Sequence, residues 1–375
     1  MKKSPVVLLA ATTLVAGSTL LSSPASAGGR PQPGAPRTIA DGLLTPLKLA
    51  VSERGRVYVS QNFAGELTAI GRDGSKTAFA SAPGEELGGV SERHGTVYWT
   101  TTGDASAKLF SQRRGGSPRQ VADLYAYENS RNPDRGMTYG LRGLPQACAS
   151  QFPADNPATY TGLVDSHPYA TLPTRRTTYV ADAGANAIFA VGRHGRVRTV
   201  ATLPAVGTVV TAEALAAQGL PTCAAGYTYY FEFVPTDVDR GRDGSLYVTS
   251  LPGGPEDASL GARGSVFKVD PGSGRARKIA GGFVGAVDLA LLPDGRIAVA
   301  ELFGGEDGAG QVTLVRPRSS YRRTLDLGSP GAVEWKAGRR GGSLYVTTDT
   351  FTDGAPTPTA KIQVLSMGSH RKHRH

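Results

Sequence analysis

Six copies of one short pattern run through this chain, and a repeat limits the available folds more than any other feature. The clearest copy is Asp243-Gly-Ser-Leu-Tyr-Val-Thr-Ser250, a turn dipeptide leading into an alternating strand. Variants begin at Arg54 (RGRVYVSQ), His94 (HGTVYWTT), Arg176 (RTTYVADA), Asp294 (DGRIAVAE) and Gly341 (GGSLYVTT). Around the first copy the alternation predicts four short strands: Leu47–Val51, the strand at Tyr58, Glu66–Ile70 and Lys76–Ala80. Four antiparallel strands with turns between them make a propeller blade. The abundance of turn formers, 49 Gly and 25 Pro, suits such a chain.

The same four-strand reading fits five further repeats. Equivalent positions in the second strands, Tyr58, Tyr98, Tyr179, Tyr247, Ala298 and Tyr345, are 40, 81, 68, 51 and 47 residues apart. The last repeat runs out after its third strand. The segment Arg37–Leu43 matches the fourth strand of another repeat, Arg277–Phe283, and would fill the gap. The expectation is an all-β, six-bladed β-propeller with four-stranded blades, its last blade closed by the N-terminal strand. Closure of this kind hides two sheet edges.

Two long spacings reflect insertions at 125–164 and 204–235, each joining the last strand of one repeat to the first of the next. Proline in the first and a helix-like run, Thr211–Gly219, in the second argue against a four-strand pattern in either. A third excess, Pro252–Gly264, joins second to third strand. All three connections emerge on one side, so they should cover one mouth of the central channel. Cys148 lies in the first insertion and Cys223 in the second. A disulfide between them would tie the caps and close a loop of 75 residues, contributing roughly 4–5 kcal/mol on the chain-entropy account.

The start of the chain reads as a signal peptide. Met-Lys-Lys, an apolar run and Ala25-Ser26-Ala27 give residues 1–27 as a leader cleaved after Ala27. Residues 28–36 are a Gly/Pro-rich linker and 37–367 the propeller. No later segment is long and apolar enough to span a bilayer. The expectation is a secreted protein, in a compartment that permits a disulfide. Net charge is +10, part of it in the basic tail 368–375. That tail is either a solvated end or a contact for an anionic surface. Basic residues elsewhere are scattered without interleaved aromatics, which argues against nucleic acid.

Chemistry-bearing residues gather where first strands begin and second strands end. The first-strand position holds Lys48, Gly88, Tyr169, Asp237, Asp288 and Glu334; the second-strand position holds Gln61, Thr101, Asp182, Ser250, Glu301 and Thr348. Converging carboxylates repel unless a cation or a proton intervenes. Asp237, Asp288, Glu334 and Glu301 are therefore candidate ligands of a central hard cation such as Ca2+. The other reading is that they cap backbone amides and pair with Lys48. Lys48, Asp182, Asn186, His167 and Tyr169 are candidate ligand contacts, although an asparagine at 186 also suits a turn. His94, His167 and His194 are dispersed, which argues against a histidine zinc site. Nucleophile-elbow, Cys-X-X-Cys and phosphate-loop spacings are absent. The aromatics of the insertions, among them Tyr125, Tyr127, Tyr139, Tyr160, Tyr229 and Phe231, would either bind a flat ligand or form the cap's own core.

Several motifs resemble the ScyD/ScyE family. They are Asp123-Leu with Tyr127-Glu-Asn and Asn132-Pro-Asp134, Asp165-Ser-His-Pro-Tyr169, Val180-Ala-Asp-Ala-Gly184 with Asn186, Val234-Pro-Thr236, and Gly264-Ser-Val-Phe-Lys-Val-Asp-Pro271. The resemblance spans roughly Arg37–Met367 and implies an exported six-bladed propeller of the NHL/SMP-30-like kind. It carries no catalytic set. This chain departs in its cysteine-bearing insertions and in His167, where the family commonly has Asn. The expected function is a non-catalytic, monomeric binding protein that takes an extracellular ligand or cell-surface polymer at the capped mouth. The alternative is a calcium-dependent hydrolase or lactonase using the channel carboxylates.

Overall fold

Asp73, Asp243 and Asp294 open three turns of one design. In each, the aspartate Oδ1 accepts the backbone N–H two residues on, at 3.1–3.2 Å from Ser75, Ser245 and Arg296. The glycine between takes the left-handed conformation, as at Gly244 with φ 83°, where a side chain would be strained. These turns hold the repeating strands in register. The computed structural model describes residues 34–338, 341–351 and 358–368. The expected leader 1–27, most of the linker, and the basic tail from Ser369 lie outside the described residues.

The described residues form seven four-stranded antiparallel sheets. Six follow the repeats and are numbered here in chain order. Their first strands are Lys48–Val51, Glu86–Arg93, Pro168–Pro173, Pro235–Arg240, Ala286–Leu291 and Val333–Gly338. Each of the first five sheets is a meander of consecutive strands. The sixth runs Val333–Gly338, Gly341–Thr348, Ala360–Gly368 and then Arg37–Leu43. Thr38 pairs with Gln363 and Ala40 with Ile362, so the N-terminal segment does complete the last repeat. The first strands touch one another in cyclic order, closing where Lys48–Val51 meets Val333–Gly338.

Burial is greatest in the middle strands and least at the outer edge. In the third sheet every residue of the second strand, Thr178–Asp182, and of the third, Ala187–Val191, is buried. In the first sheet the outer strand Lys76–Ser81 is mostly exposed. The apolar clusters form between neighbouring sheets, as with Leu289, Ile297 and Val299 of the fifth against Val266 and Phe283 of the fourth. Gly88 and Gly89 permit an especially close approach of the second and third sheets. A Cβ on Gly89 would lie 2.8 Å from the Cα of Ala170.

The seventh sheet was not expected: each insertion lacks a four-strand pattern of its own, but the two together build one. Its order is Thr159–Thr161, Thr138–Leu141, Thr228–Phe231, Val206–Val209. Two strands come from each insertion, and the central pairing joins Gly140 to Tyr230 and Leu141 to Tyr229. Neither insertion alone has the pattern, so a repeat-by-repeat reading misses it. Cys148 is bonded to Cys223, with Cα atoms 5.9 Å apart. It packs in a cap core with Leu141, Val210, Leu215, Ala224 and Phe231.

Candidate functional site

The channel is lined by the first strands. In the third, fourth and fifth sheets a bulge interrupts pairing near the strand start, after Pro168, Pro235 and Ala286. It shifts the expected register. Lys48, Asp237 and Asp288 pair with Ser60, Thr249 and Ala300 and are true equivalents. Glu334 pairs with Tyr345, which makes it the counterpart of Asp239, opposite Tyr247. Tyr169 sits in the bulge itself. The acids therefore form two layers, Asp237 and Asp288 above Asp239 and Glu334, rather than one ring.

Lys48 stands in the upper layer. Its Nζ lies 3.2 Å from Asp288 Oδ2 and 3.8 Å from Asp237 Oδ1, and it donates to the Val287 carbonyl at 2.8 Å. The Tyr169 ring is 5.4 Å away. Burial, then repulsion from Asp237, pushes the Asp288 carboxyl well above its usual range, and the two acids share a hydrogen bond. Burial and the neighbouring Asp239 and Asp237 push Glu334 up likewise. Burial, then Asp237, lifts Asp239 to about 6. One ammonium thus serves four acids, of which Asp239, Asp288 and Glu334 hold a proton more tightly than usual.

Glu301 does not join them. Its carboxylate accepts from Val284 N–H at 2.8 Å, Gln311 Nε2 at 3.1 Å and the Thr313 hydroxyl. This is a recurring latch at the end of the second strand. Gln61 accepts from Leu44 N–H at 2.8 Å, Asp182 from His167 N–H at 2.7 Å, and Ser250 donates to the Phe233 carbonyl. Each latch fastens the segment entering its own sheet. Asp182 also accepts from Ser166 Oγ and Ala185 N–H, three hydrogen bonds in all.

Asn186 is likewise fully used. Its Nδ2 donates to Asp134 at 3.0 Å and its Oδ1 accepts from Val234 N–H at 3.0 Å. A further bond reaches Glu232. It ties both insertions to the third sheet with no exposure to solvent. His167 Nε2 faces Glu86 at 3.0 Å. Burial works against its charge, but Glu86, with Asp182 and Asp165, outweighs that and raises its proton affinity. Of the five expected ligand contacts, Lys48 and Tyr169 face the channel, His167 pairs with Glu86, and Asp182 and Asn186 hold structure.

A cleft opens between the cap and the third excess. Tyr160, Leu215, Tyr229 and Phe231 line it from the two insertions, and Gly253–Pro255 and Leu260 from the loop of the fourth sheet. Arg263 braces that loop, donating to the Gly253 carbonyl at 2.9 Å while lying 4.5 Å from the Phe231 ring centre. Glu232 lines the cleft, bonded to Tyr160, and burial and then Asp134 lift it to about 7. The aromatics divide. Tyr139 is wholly buried, whereas Tyr160 and Tyr229 border the cleft.

Beneath the cap lie acids to which the sequence reading gave no role. Glu128 and Asp134 are 0% and 1% exposed. Burial, then Asp182, Asp134 and Asp165, lift Glu128 to about 8. Asp134 is raised by burial, opposed by hydrogen bonds from Asn186 and from Tyr139 at 2.9 Å. Their signal was visible as acids within Tyr127-Glu-Asn and Asn132-Pro-Asp134. Among the described residues, no three His, Cys, Asp or Glu side chains are grouped to hold a metal ion by themselves. Among the described residues, too, no helix is long and apolar enough to cross a membrane.

No family model matches the sequence, and no curated protein does. Solved structures share the fold. The PQQ-bound aldose sugar dehydrogenase of Streptomyces coelicolor is 16% identical, with a TM-score of 0.54 over 88% of this chain and 96% of its own. A putative oxidoreductase (glucose dehydrogenase) of Thermus thermophilus is 16% identical, with a TM-score of 0.51 over 88% and 99%. A protein of unknown function from Bacteroides thetaiotaomicron is 12% identical, with a TM-score of 0.52 over 88% and 75%. At these identities the likeness is one of fold: this chain has an all-β, propeller-like architecture with an added cap sheet.

Proposed function

We propose that this chain is an exported, monomeric, ScyD/ScyE-like six-bladed β-propeller that binds a ligand without transforming it, and that the ligand sits in the cleft beneath the cap. The observation that carries this reading is the cleft's construction from all three insertions, with rings and the Glu232–Tyr160 pair in its lining. Apolar walls with a few placed polar groups are the usual make-up of a small-molecule site. Such a cleft suits a flat, ring-bearing molecule with a hydrogen-bond donor or a positive group for Glu232.

Lys48 supports binding over hydrolysis in the channel. Its ammonium already lies against Asp237 and Asp288, the place a catalytic calcium would take. The test is a thermal-shift and equilibrium-dialysis panel of indole, phenols and aryl amines on the mature chain. Protection by one of these, lost in Glu232→Gln and Tyr229→Ser, is expected. Turnover of a lactone that Asp288→Asn abolishes would reverse the reading.

A further inference from the structure

Four buried oxygen acceptors without a hydrogen-bond partner come from three residues at one helix end. They are both carboxylate oxygens of Glu128, Oδ1 of Asn132 and Oδ1 of Asp134. The helix Leu124–Arg131 ends at Asn132, which has a left-handed backbone, and the chain turns immediately into Pro133 and Asp134. Leaving a single buried acceptor unpaired costs about 1–3 kcal/mol. Four in one place is a cost that a fold removes by supplying a cation or protons.

We propose that Glu128, Asn132 and Asp134 hold a calcium ion at the base of the cap. The oxygen set is the kind that calcium prefers, two carboxylates and an amide carbonyl, with backbone carbonyls or water to complete it. Outer contacts orient these groups, as they do in built metal sites. Asn132 Nδ2 donates to the Gly162 carbonyl at 2.9 Å, which turns its Oδ1 away from that bond. Tyr139 and Asn186 both occupy Asp134 Oδ2, which leaves Oδ1 free. Asp182 already accepts three hydrogen bonds, and its charge bears on Glu128.

Charge supports the same assignment. Every charge that acts appreciably on Glu128 is another carboxylate, with no lysine or arginine among them. The channel differs, since Lys48 serves its acids. A divalent ion here would join the first insertion to the third sheet through the Asp134–Asn186 bond. The proposal does not depend on the cleft binding anything.

The test is calcium titration of chelator-treated full-length mature protein, disulfide intact, by calorimetry and thermal melting. One site is expected, with a rise in melting temperature. Glu128→Gln and Asp134→Asn should each weaken binding by more than about tenfold, and Asp288→Asn in the channel should not. Absence of binding by the unaltered chain, binding that survives both substitutions, or binding lost with Asp288→Asn would overturn it. Should the cap variants fail to fold, terbium on the unaltered chain decides. Tyr139 is bonded to Asp134, so terbium there should emit on tyrosine excitation and be displaced by calcium. No calcium-displaceable emission would count against the site.

Discussion

Lys48 and Asp288 belong to the first and fifth sheets yet meet in the channel, ammonium to carboxylate, at 3.2 Å. Their side chains are 4% and 6% exposed, so the pair is screened from water. Removing one partner of such a pair leaves a buried charge without compensation. Lys48→Met should cost about 3–5 kcal/mol by chemical denaturation. Adding Asp288→Asn should recover part of that loss. A double variant no more stable than Lys48→Met would show the pair to be energetically idle.

The lower acids of the channel make a pH dependence of definite sign. Asp239 is raised to about 6 by burial and by Asp237. The folded chain holds this proton more tightly than the unfolded chain does. Its contribution to stability is therefore complete below the ordinary aspartate range and is lost as pH rises through about 6. Asp288 and Glu334 shift the same way and extend the decline upward. Melting temperature should fall as pH rises from about 4 to 6, and Asp239→Asn should flatten that segment.

His167 acts in the same direction over a higher range. Its proton affinity is raised by the bond to Glu86, against the effect of burial. The stability it adds is present below the usual histidine pKa and disappears as pH passes through the raised value. Histidine NMR titration should place His167 above the ordinary histidine range. A value at or below that range would mean that the contact with Glu86 does not hold a proton on the ring.

Asn186 is a knot between cap and sheet. Asn186→Ala would strip a partner from Asp134 and from Val234 N–H at once. The expected loss is about 2–4 kcal/mol, read as faster amide exchange in Thr138–Leu141 and Thr228–Phe231. Unchanged exchange in those strands would mean that the Asn186 bonds do not hold the cap.

Much of the architecture was legible because turn chemistry and alternation repeat. The Asp-Gly turns, the strand at each tyrosine and the Arg37–Leu43 closure all follow from local pattern. The Cys148–Cys223 bond followed from placing two cysteines in neighbouring insertions. What sequence did not carry was register within the bulge. One extra residue after Ala286 or Pro235 changes which side chains share a layer, and this is why Glu334 was grouped with Asp288 rather than with Asp239. Glu301 looked like a channel acid because it ends a strand, but the Val284 amide it caps lies across a turn. The cap sheet was hidden for another reason. Its pairing joins Leu141 to Tyr229, far apart in the chain, and no periodicity within either segment announces it.

The shared cap sheet has a consequence for how such a protein can change over time. Its two inner strands, Thr138–Leu141 and Thr228–Phe231, come one from each insertion and lean on each other. Trimming one insertion would bare the backbone of the other strand, an open edge that invites aggregation. The two segments are therefore a matched pair that must be acquired, shortened or discarded together, even though they interrupt the chain in separate places.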